Sequence, residues 1–301
     1  MMRVLFLTSG DRVPSTRFRV IPFVDHLKQA GIKCTVASSI PQKYDHWPLI
    51  GFRASQKLKR IVRWWHLLLA WFRNYDVVVI ERELFDNSTI DMELRLRKIA
   101  RRIVLDVDDA IFLRHREKTE TLTRMADLVI AGNPQIKEVL SPWNDRCVII
   151  PTGVRLAAFP EKDRSVSDSD VPIVGWMGTR SNLAYFEVIA EALRNLSSHV
   201  DFELRLIVSD LEPLESIDLT GVRIRHVEWR GETEVDDLRK IDIGIMPLFS
   251  DREWDRYKCP TKMTQYMAAG IPGVASPVGF TADVVEHGVS GFLPASTAEW
   301  E

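Results

Sequence analysis

Arg256 to Leu293 reads RYKCPTKMTQYMAAGIPGVASPVGFTADVVEHGVSGFL. The stretch predicts a helix, a tight turn, a buried strand, a small-residue loop and a second helix. Thr261 to Ala269 puts Met263, Tyr266 and Met267 on one face, and Ala268 and Ala269 permit close approach. Gly270 is placed to end that helix, and Pro272 blocks its continuation. Gly273 to Ser276 is short and apolar, as a strand buried in a parallel sheet is. Ser276-Pro-Val-Gly-Phe-Thr then leads to a helix predicted from Ala282 to Glu286. A strand ending in a glycine-containing loop at a helix N-terminus presents backbone N–H groups to a phosphate. The same spacing also fits an αβα unit with no ligand.

The chain around it has 301 residues, 46% hydrophobic and 27% charged, which is enough for two globular domains. Its net charge of −2 hides an asymmetry. Residues 1–150 hold 25 Lys+Arg and 17 Asp+Glu, a net +8; residues 151–301 hold 15 and 25, a net −10. The basic half calls for an acidic partner, such as an anionic lipid surface or a phosphorylated acceptor. No nucleic-acid-binding signature accompanies it, so no nucleic acid is expected. Cys34, Cys147 and Cys259 are scattered, with neither a disulfide framework nor metal-ligand spacing, which fits a reducing cytoplasm. Val4 to Leu7 is too short for a signal segment and reads as a strand. No apolar run is long enough to cross a bilayer.

Arg3 to Thr8, a loop containing Gly10, an amphipathic helix to about Ala30 and a strand from Ile32 to Ala37 form a βαβ opening. Val20, Phe23, Val24 and Leu27 mark the helix's apolar face, and Ser15 or Thr16 is placed to cap it. The three-glycine dinucleotide fingerprint is missing, which disfavours NAD. Arg17 and Arg19 oppose the helix dipole; a phosphate or sugar-acid contact would explain them, and so would a small surface defect. Strands are predicted at Asp76–Ile80, from Ile103, at Ala126–Ala131 and at Cys147–Ile150, with a charged helix from about Ile90 to Arg102. Asp106, Asp108 and Asp109 lie at the end of the strand from Ile103, where open α/β sheets carry their chemistry. Three uses fit: a Mg2+ or Mn2+ site, a phosphoaspartate, or a carboxylate orienting an acceptor hydroxyl. Capping of the next helix would also explain Asp108 or Asp109.

Phe52 to Arg73, FRASQKLKRIVRWWHLLLAWFR, interleaves cations with tryptophans and leucines. A basic helix with Trp, Phe and Leu on its other face lies in a membrane interface, which would put Arg60, Arg63, Trp64, Trp65 and Trp71 against lipid. The competing reading is a helix that buries a wide face while its Lys and Arg heads reach water. Glu161 to Asp170 is polar and aperiodic, and reads as an interdomain linker. Beyond it, strands at Pro172–Met177, Phe202–Val208, Val222–His226 and Ile241–Met246 alternate with helices at Leu183–Leu196 and Glu232–Lys240. Ser250 to Arg256 reads as a polar loop.

Several segments resemble one family in order and together: Pro14 to Arg19, Glu81 to Leu84, Leu105 to Phe112, Ala131 to Pro134, Ile150 to Val154, Val174 to Thr179, Asp242 to Leu248 and Lys258 to Gly279. With these the chain resembles the GT-B retaining nucleotide-sugar glycosyltransferases, family 4-like, of the bacterial surface-polysaccharide and lipid-sugar type. The resemblance implies an α/β chain of two Rossmann-like, doubly wound parallel-sheet domains facing a cleft. Residues 1–153 would form the acceptor-side domain, 154–171 the linker and 172–301 the nucleotide-sugar-binding domain. It implies transfer of a sugar with retention, without a metal or other cofactor, to a lipid-linked or saccharide acceptor at the cytoplasmic membrane face. Donor contacts would come from Gly10, Gly178, Arg180, Lys258, Lys262, Gln265, Gly279, Phe280 and Thr281. Arg17 and Arg19 would serve the acceptor, and Asp108 or Asp109 the reacting hydroxyl.

Two departures from the family pattern stand out. Tyr257 and Gln265 occupy the places of two glutamates, and Asp255 or Glu253 is the candidate substitute for the first. The chain also stops at Ala298-Glu-Trp-Glu, where members usually continue, so a truncated second domain is expected. A non-catalytic relative that keeps the fold as a binding or assembly module is the alternative.

Overall fold

The computed structural model describes residues 1–43, 45–159 and 169–301. Residues 160–168 of the predicted linker lie outside the described residues. The chain forms two compact units, Met1–Gly153 and Val154–Glu301.

Unit 1 runs β1 (Arg3–Thr8), α1 (Pro14–Arg19), α2 (Ile21–Gln29), β2 (Lys33–Ser38), α3 (Gly51–Arg73), β3 (Val77–Glu81) and α4 (Asp91–Ile99). It continues with β4 (Ile103–Val107), α5 (Ile111–Arg114), α6 (Arg116–Met125), β5 (Leu128–Ala131), α7 (Pro134–Leu140) and β6 (Cys147–Ile149). The strands form one parallel sheet in the order β2-β1-β3-β4-β5-β6. Its order reverses between β1 and β3, so their carboxyl ends open the crevice where such sheets bind ligands. The single helix predicted up to Ala30 is two helices meeting at Val20. Val20 and Val24 pack on Val4 and Phe6, whereas Phe23 is exposed, a correction to the predicted face. Helices α5 and α6 are additions to the sequence reading.

Charged side chains hold the carboxyl end of this sheet together. Glu81 is buried at the end of β3 and accepts from the Ser15 hydroxyl, the Thr16 hydroxyl at 2.5 Å and the Ser9 amide at 3.3 Å. Ser15 and Thr16 therefore do not cap α1 as predicted; they lie inside it and donate to a carboxylate brought from another strand. Arg19 is buried too. Its Nε lies 2.9 Å from Asp106 Oδ2, its Nη2 2.5 Å from Asp106 Oδ1 and its Nη1 3.0 Å from Thr152 Oγ1. Burial pushes the Asp106 carboxyl up to about 6, and the Arg19 fork works against that shift. Lys118 on α6 reaches Glu83 at 3.0 Å and Glu93 at 3.4 Å, all three buried.

Helix α3 inverts the usual pattern. Its buried face holds Ser55, Lys59, Arg63, His66, Leu67 and Ala70. Arg63 is 1% exposed and donates to the strand-end carbonyls of Thr8 at 2.7 Å and Ala37 at 3.2 Å. The prediction that Arg63 meets a membrane is corrected by this placement: its donors complete β1 and β2. His66, beside it, is pushed down to about 4 by burial and by the Arg63 charge. Asn74 ends the helix in a left-handed conformation, φ 46°.

Unit 2 opens with Val154 and Phe159 packed into its own core, so the described start of the predicted linker belongs to this unit. It runs β7 (Ile173–Met177), a 3-10 segment (Arg180–Val188), α8 (Ala190–Ser197), β8 (Glu203–Val208), β9 (Arg223–Glu228), α9 (Glu234–Arg239) and β10 (Ile243–Met246). Then come α10 (Glu253–Arg256), α11 (Thr261–Ala268), β11 (Gly273–Ala275), α12 (Phe280–Val284) and α13 (Thr297–Trp300). Thus the predicted loop Ser250–Arg256 contains a short helix, Leu183–Leu196 begins as 3-10, and the helix predicted at Ala282 starts at Phe280. The sheet is parallel, in the order β11-β10-β7-β8-β9. Trp176, Leu204 and Ile245 face one core with Leu183 and Phe186; Met177, Ile207 and Met246 face another with Met263 and Tyr266.

Breaking a buried ion pair from one side strands the other charge, at about 3–5 kcal/mol, whereas an apolar replacement of both costs far less. Arg19→Met alone should therefore lower the stability of the chain by about 3–5 kcal/mol in urea unfolding, and adding Asp106→Leu should restore most of it. Equal losses in both variants would place the stabilisation elsewhere.

Candidate functional site

In unit 2 the strand order reverses between β7 and β10, and the carboxyl ends of those strands define the expected crevice. Gly178 follows β7 directly. A Cβ there would lie 2.5 Å from the Trp176 ring and 3.2 Å from Lys262 Cε, so the position has no room for a side chain. Lys262 projects from the first turn of α11, half-buried, with Nζ 5.3 Å from the centre of the Trp176 ring. That Nζ has no hydrogen-bond or ion-pair partner among the described residues. Burial pushes its amine down to about 7, and the neighbouring Lys258 charge adds to the shift.

The segment before α11 is ordered by Asp255, which is fully buried. Asp255 accepts from the Tyr185 hydroxyl through Oδ1 and from the Phe249 amide through Oδ2 at 3.3 Å. Lys258 Nζ sits 3.7 Å from Asp255 Oδ1 and 4.4 Å from the centre of the Tyr185 ring. Asp255, a candidate substitute for a donor-facing glutamate, is thereby committed to holding the loop. Tyr257 is buried and Glu253 is exposed.

One turn into α11, Gln265 is buried and its Nε2 donates to Glu234 Oε1 at 3.2 Å. Glu234 Oε2 accepts from Trp229 Nε1 at 2.9 Å. Sequence reasoning missed Glu234, since nothing in its local pattern at the start of α9 links it to a residue 31 positions away. The loop after β11 closes the same edge. Ser276 Oγ accepts from the Leu248 amide at 2.9 Å. Gly279 has φ 53°, and a Cβ there would lie 2.0 Å from the Arg256 carbonyl oxygen. Phe280 begins α12, and Thr281 is fully buried with its hydroxyl unpartnered among the described residues.

Gly178, Lys258, Lys262, Gln265 and the loop carrying Gly279, Phe280 and Thr281 thus come from elements at one edge of the unit 2 sheet. Arg180 starts the 3-10 segment, exposed and bridged to Asp210 at 2.8 Å and to Glu212, so its charge is already matched. Gly10 belongs to unit 1. Its φ is 138°, and a Cβ there would lie 2.6 Å from the Gln42 side chain.

The other candidates of unit 1 lie on α1 and just after β4. Asp108 is buried in a fork from Arg82, Nε to Oδ1 at 2.5 Å and Nη2 to Oδ2 at 3.1 Å. Burial would raise the Asp108 carboxyl, but the Arg82 guanidinium overrides it and holds the group below the usual carboxylate range. Arg82 adopts φ 58°, a left-handed conformation uncommon for a long side chain. Its backbone amide donates to the Asp106 carbonyl at 2.7 Å. Asp109 is more open; Arg82 Nη1 lies 3.5 Å away, and its Oδ1 accepts from the Ala110 amide at 3.0 Å. Arg17 is half-buried, with its guanidinium 5.3 Å from the centre of the Phe18 ring. Arg19, expected on the acceptor side, is instead enclosed with Asp106. Among the described residues no group of three or more His, Cys, Asp or Glu is gathered as metal ligands are.

Solved structures share this architecture along nearly the whole chain. One from Anabaena, Alr3699/HepE in complex with UDP-glucose, is 18% identical, with a TM-score of 0.64 over 99% of this chain and 87% of its own. A glycosyltransferase from Rickettsia africae is 15% identical, with a TM-score of 0.64 over 98% and 85%. The lipopolysaccharide outer core galactosyltransferase WaaB is 13% identical, with a TM-score of 0.56 over 99% and 88%. The fold is GT-B. Residues 170–300, which make up most of the second unit, match the family model of glycosyl transferases group 1. No curated protein sequence matches the chain.

An amine with a pKa of about 7 is mostly neutral at pH 8, and a diphosphate beside it favours the protonated form. Anion affinity at Lys262 should therefore fall as pH rises through 7. Titration calorimetry of UDP at pH 8 in two buffers of different ionisation enthalpy should read net proton uptake. Lys262→Met should abolish the uptake and weaken binding roughly tenfold or more. Uptake unchanged in Lys262→Met would assign the proton to another group.

Proposed function

We propose that the chain transfers a sugar, with retention and without a bound metal ion, from a nucleoside-diphosphate sugar to a lipid-linked or polysaccharide acceptor at the cytoplasmic face of a membrane. The observation that carries this reading is Lys262. A cation without a matching anion, desolvated at the strand-order reversal of a group 1 domain, is suited to a diphosphate. UDP and UDP-glucose occupy related folds, so a UDP-hexose is the first donor to test.

In this reading Lys258 and Lys262 neutralise the charge that grows on the departing diphosphate, and Gly178 lets its oxygens approach the backbone. The amides of Gly279 and Phe280, at the start of α12, add hydrogen bonds to it. The Gln265–Glu234 pair offers both donor and acceptor to ribose hydroxyls. The bond from the anomeric carbon to the diphosphate oxygen breaks as the acceptor oxygen bonds to the same face of that carbon. Asp108, held ionised by Arg82, is a weak base. The acceptor proton therefore passes to the departing phosphate oxygen, while Asp108 and Asp109 orient the hydroxyl.

A second reading has a specific observation behind it. Asp255 is engaged by Tyr185 and Phe249, and the buried Tyr257 stands at the place of the first family glutamate, which leaves the exposed Glu253 as the remaining candidate. A binding or assembly module that keeps nucleotide-sugar affinity would look the same. Calorimetry with UDP-glucose, UDP-galactose and GDP-mannose, followed by assays of nucleotide release with membrane extracts, separates the two. Saturable binding of one donor with acceptor-dependent release of its nucleotide is expected. Binding without release would favour the module, and no binding of any donor would remove both.

A further inference from the structure

Helix α3 carries its apolar side outward. Ile61, Trp64, Trp65, Leu68, Trp71 and Phe72 are all exposed, Trp65 at 69% and Phe72 at 71%. Their spacing of three and four residues places them on one stripe of the helix. At 100° per residue that stripe is centred opposite the buried Ser55, Lys59, Arg63, His66 and Ala70. The inward face is thus the polar one. Lys59 and Arg63 serve carbonyl oxygens of unit 1, Lys59 Nζ reaching the Gln42 carbonyl at 3.4 Å, and the aromatic rings are left for a partner.

The surroundings of the stripe are cationic. The 23 residues of α3 contain no Asp or Glu, and Arg53, Lys57, Arg60 and Arg73 are exposed along it. The neighbouring α4 adds Arg95, whose guanidinium lies 5.0 Å from the centre of the Trp64 ring, and Lys98. Arg60 is paired with Asp91 at 2.5 Å. An exposed apolar stripe bordered by cations matches the boundary between lipid headgroups and acyl chains. It does not match a second copy of itself, because two such faces would bring like charges together. It does not match a bilayer interior either: among the described residues no helix is long and apolar enough to cross a membrane.

We infer that α3 is a membrane-docking helix: it lies flat on an anionic bilayer, with Trp65, Leu68, Trp71 and Phe72 entering the interface and Arg53 and Lys57 reaching lipid phosphates. The inference is independent of the donor chemistry, since it uses only α3 and α4. It also fixes a location for a lipid-linked acceptor.

Flotation of the full chain, without nucleotide, tests it on two sets of vesicles: phosphatidylcholine alone, and phosphatidylcholine mixed with phosphatidylglycerol. Binding to the mixed vesicles should exceed binding to the neutral ones by roughly tenfold, fall with salt, and shift tryptophan emission to the blue. The variant Trp65→Ala, Trp71→Ala, Phe72→Ala should lose roughly tenfold in vesicle binding while keeping its unfolding midpoint, because these side chains are exposed. Leu156→Ala, at an exposed site of unit 2, should bind as the parent does. Vesicle binding within twofold of the parent in the triple variant would overturn the inference. So would no vesicle binding by the parent, together with a dimer in sedimentation that the triple variant splits.

Discussion

The second unit depends on how closely α11 can lie on its sheet. A Cβ at Gly244 would stand 2.5 Å from the Tyr266 ring, and one at Gly273 would stand 2.3 Å from Met263 Cε. Two strands without side chains there let the helix settle onto their backbones, and Tyr266 OH donates to the Ile245 carbonyl at 3.2 Å. That contact fixes the height and register of the helix. Its first turn then delivers Lys262 beside Trp176 and Gly178, and its second brings Gln265 to Glu234. The desolvation of Lys262 follows from the same approach, because an amine pressed against an indole and a glycine turn has little water around it.

The first unit solves a different problem with opposite means. Its sheet edge is held by charges: Glu81 under α1, Arg19 on Asp106, Arg82 on Asp108, and Lys118 between Glu83 and Glu93. Each pair is costly to desolvate, and each joins residues that are distant in sequence, so the ends of β3 and β4 are specified rather than merely covered. Glu81, Arg82 and Glu83 are consecutive in sequence yet take three separate partners. The left-handed turn at Arg82 makes this divergence possible. Helix α3 extends the pattern by spending Arg63 on strand-end carbonyls, and so its aromatic side is turned away from the unit.

Much of the sheet was legible because buried parallel strands such as Val77–Glu81 and Ile173–Met177 announce themselves as short apolar runs. What could not be read was the sidedness of charge. In α3, the sequence placed cations outward with the aromatics as alternatives for lipid or core, and only the fold separates the inward Lys59 and Arg63 from the outward Arg53 and Lys57. Arg19 stood out because it opposes the helix dipole, and Asp108 because it follows a strand end. Their partners, Asp106 and Arg82, lie 87 and 26 positions away and leave no local periodic signal. At the carboxyl edge of the second sheet, Gly178, Lys258, Lys262 and Gln265 belong to segments that the sequence singled out, while Glu234 does not. Asp255 carried the right chemistry for a substrate contact, but its oxygens are consumed by Tyr185 and Phe249.

Hydrogen–deuterium exchange of the full chain with and without UDP-glucose tests the placement of the donor edge most directly. Protection confined to residues 176–182, 258–265 and 276–281 is the predicted result. Protection of other segments at saturating nucleotide, with these three unchanged, would contradict it.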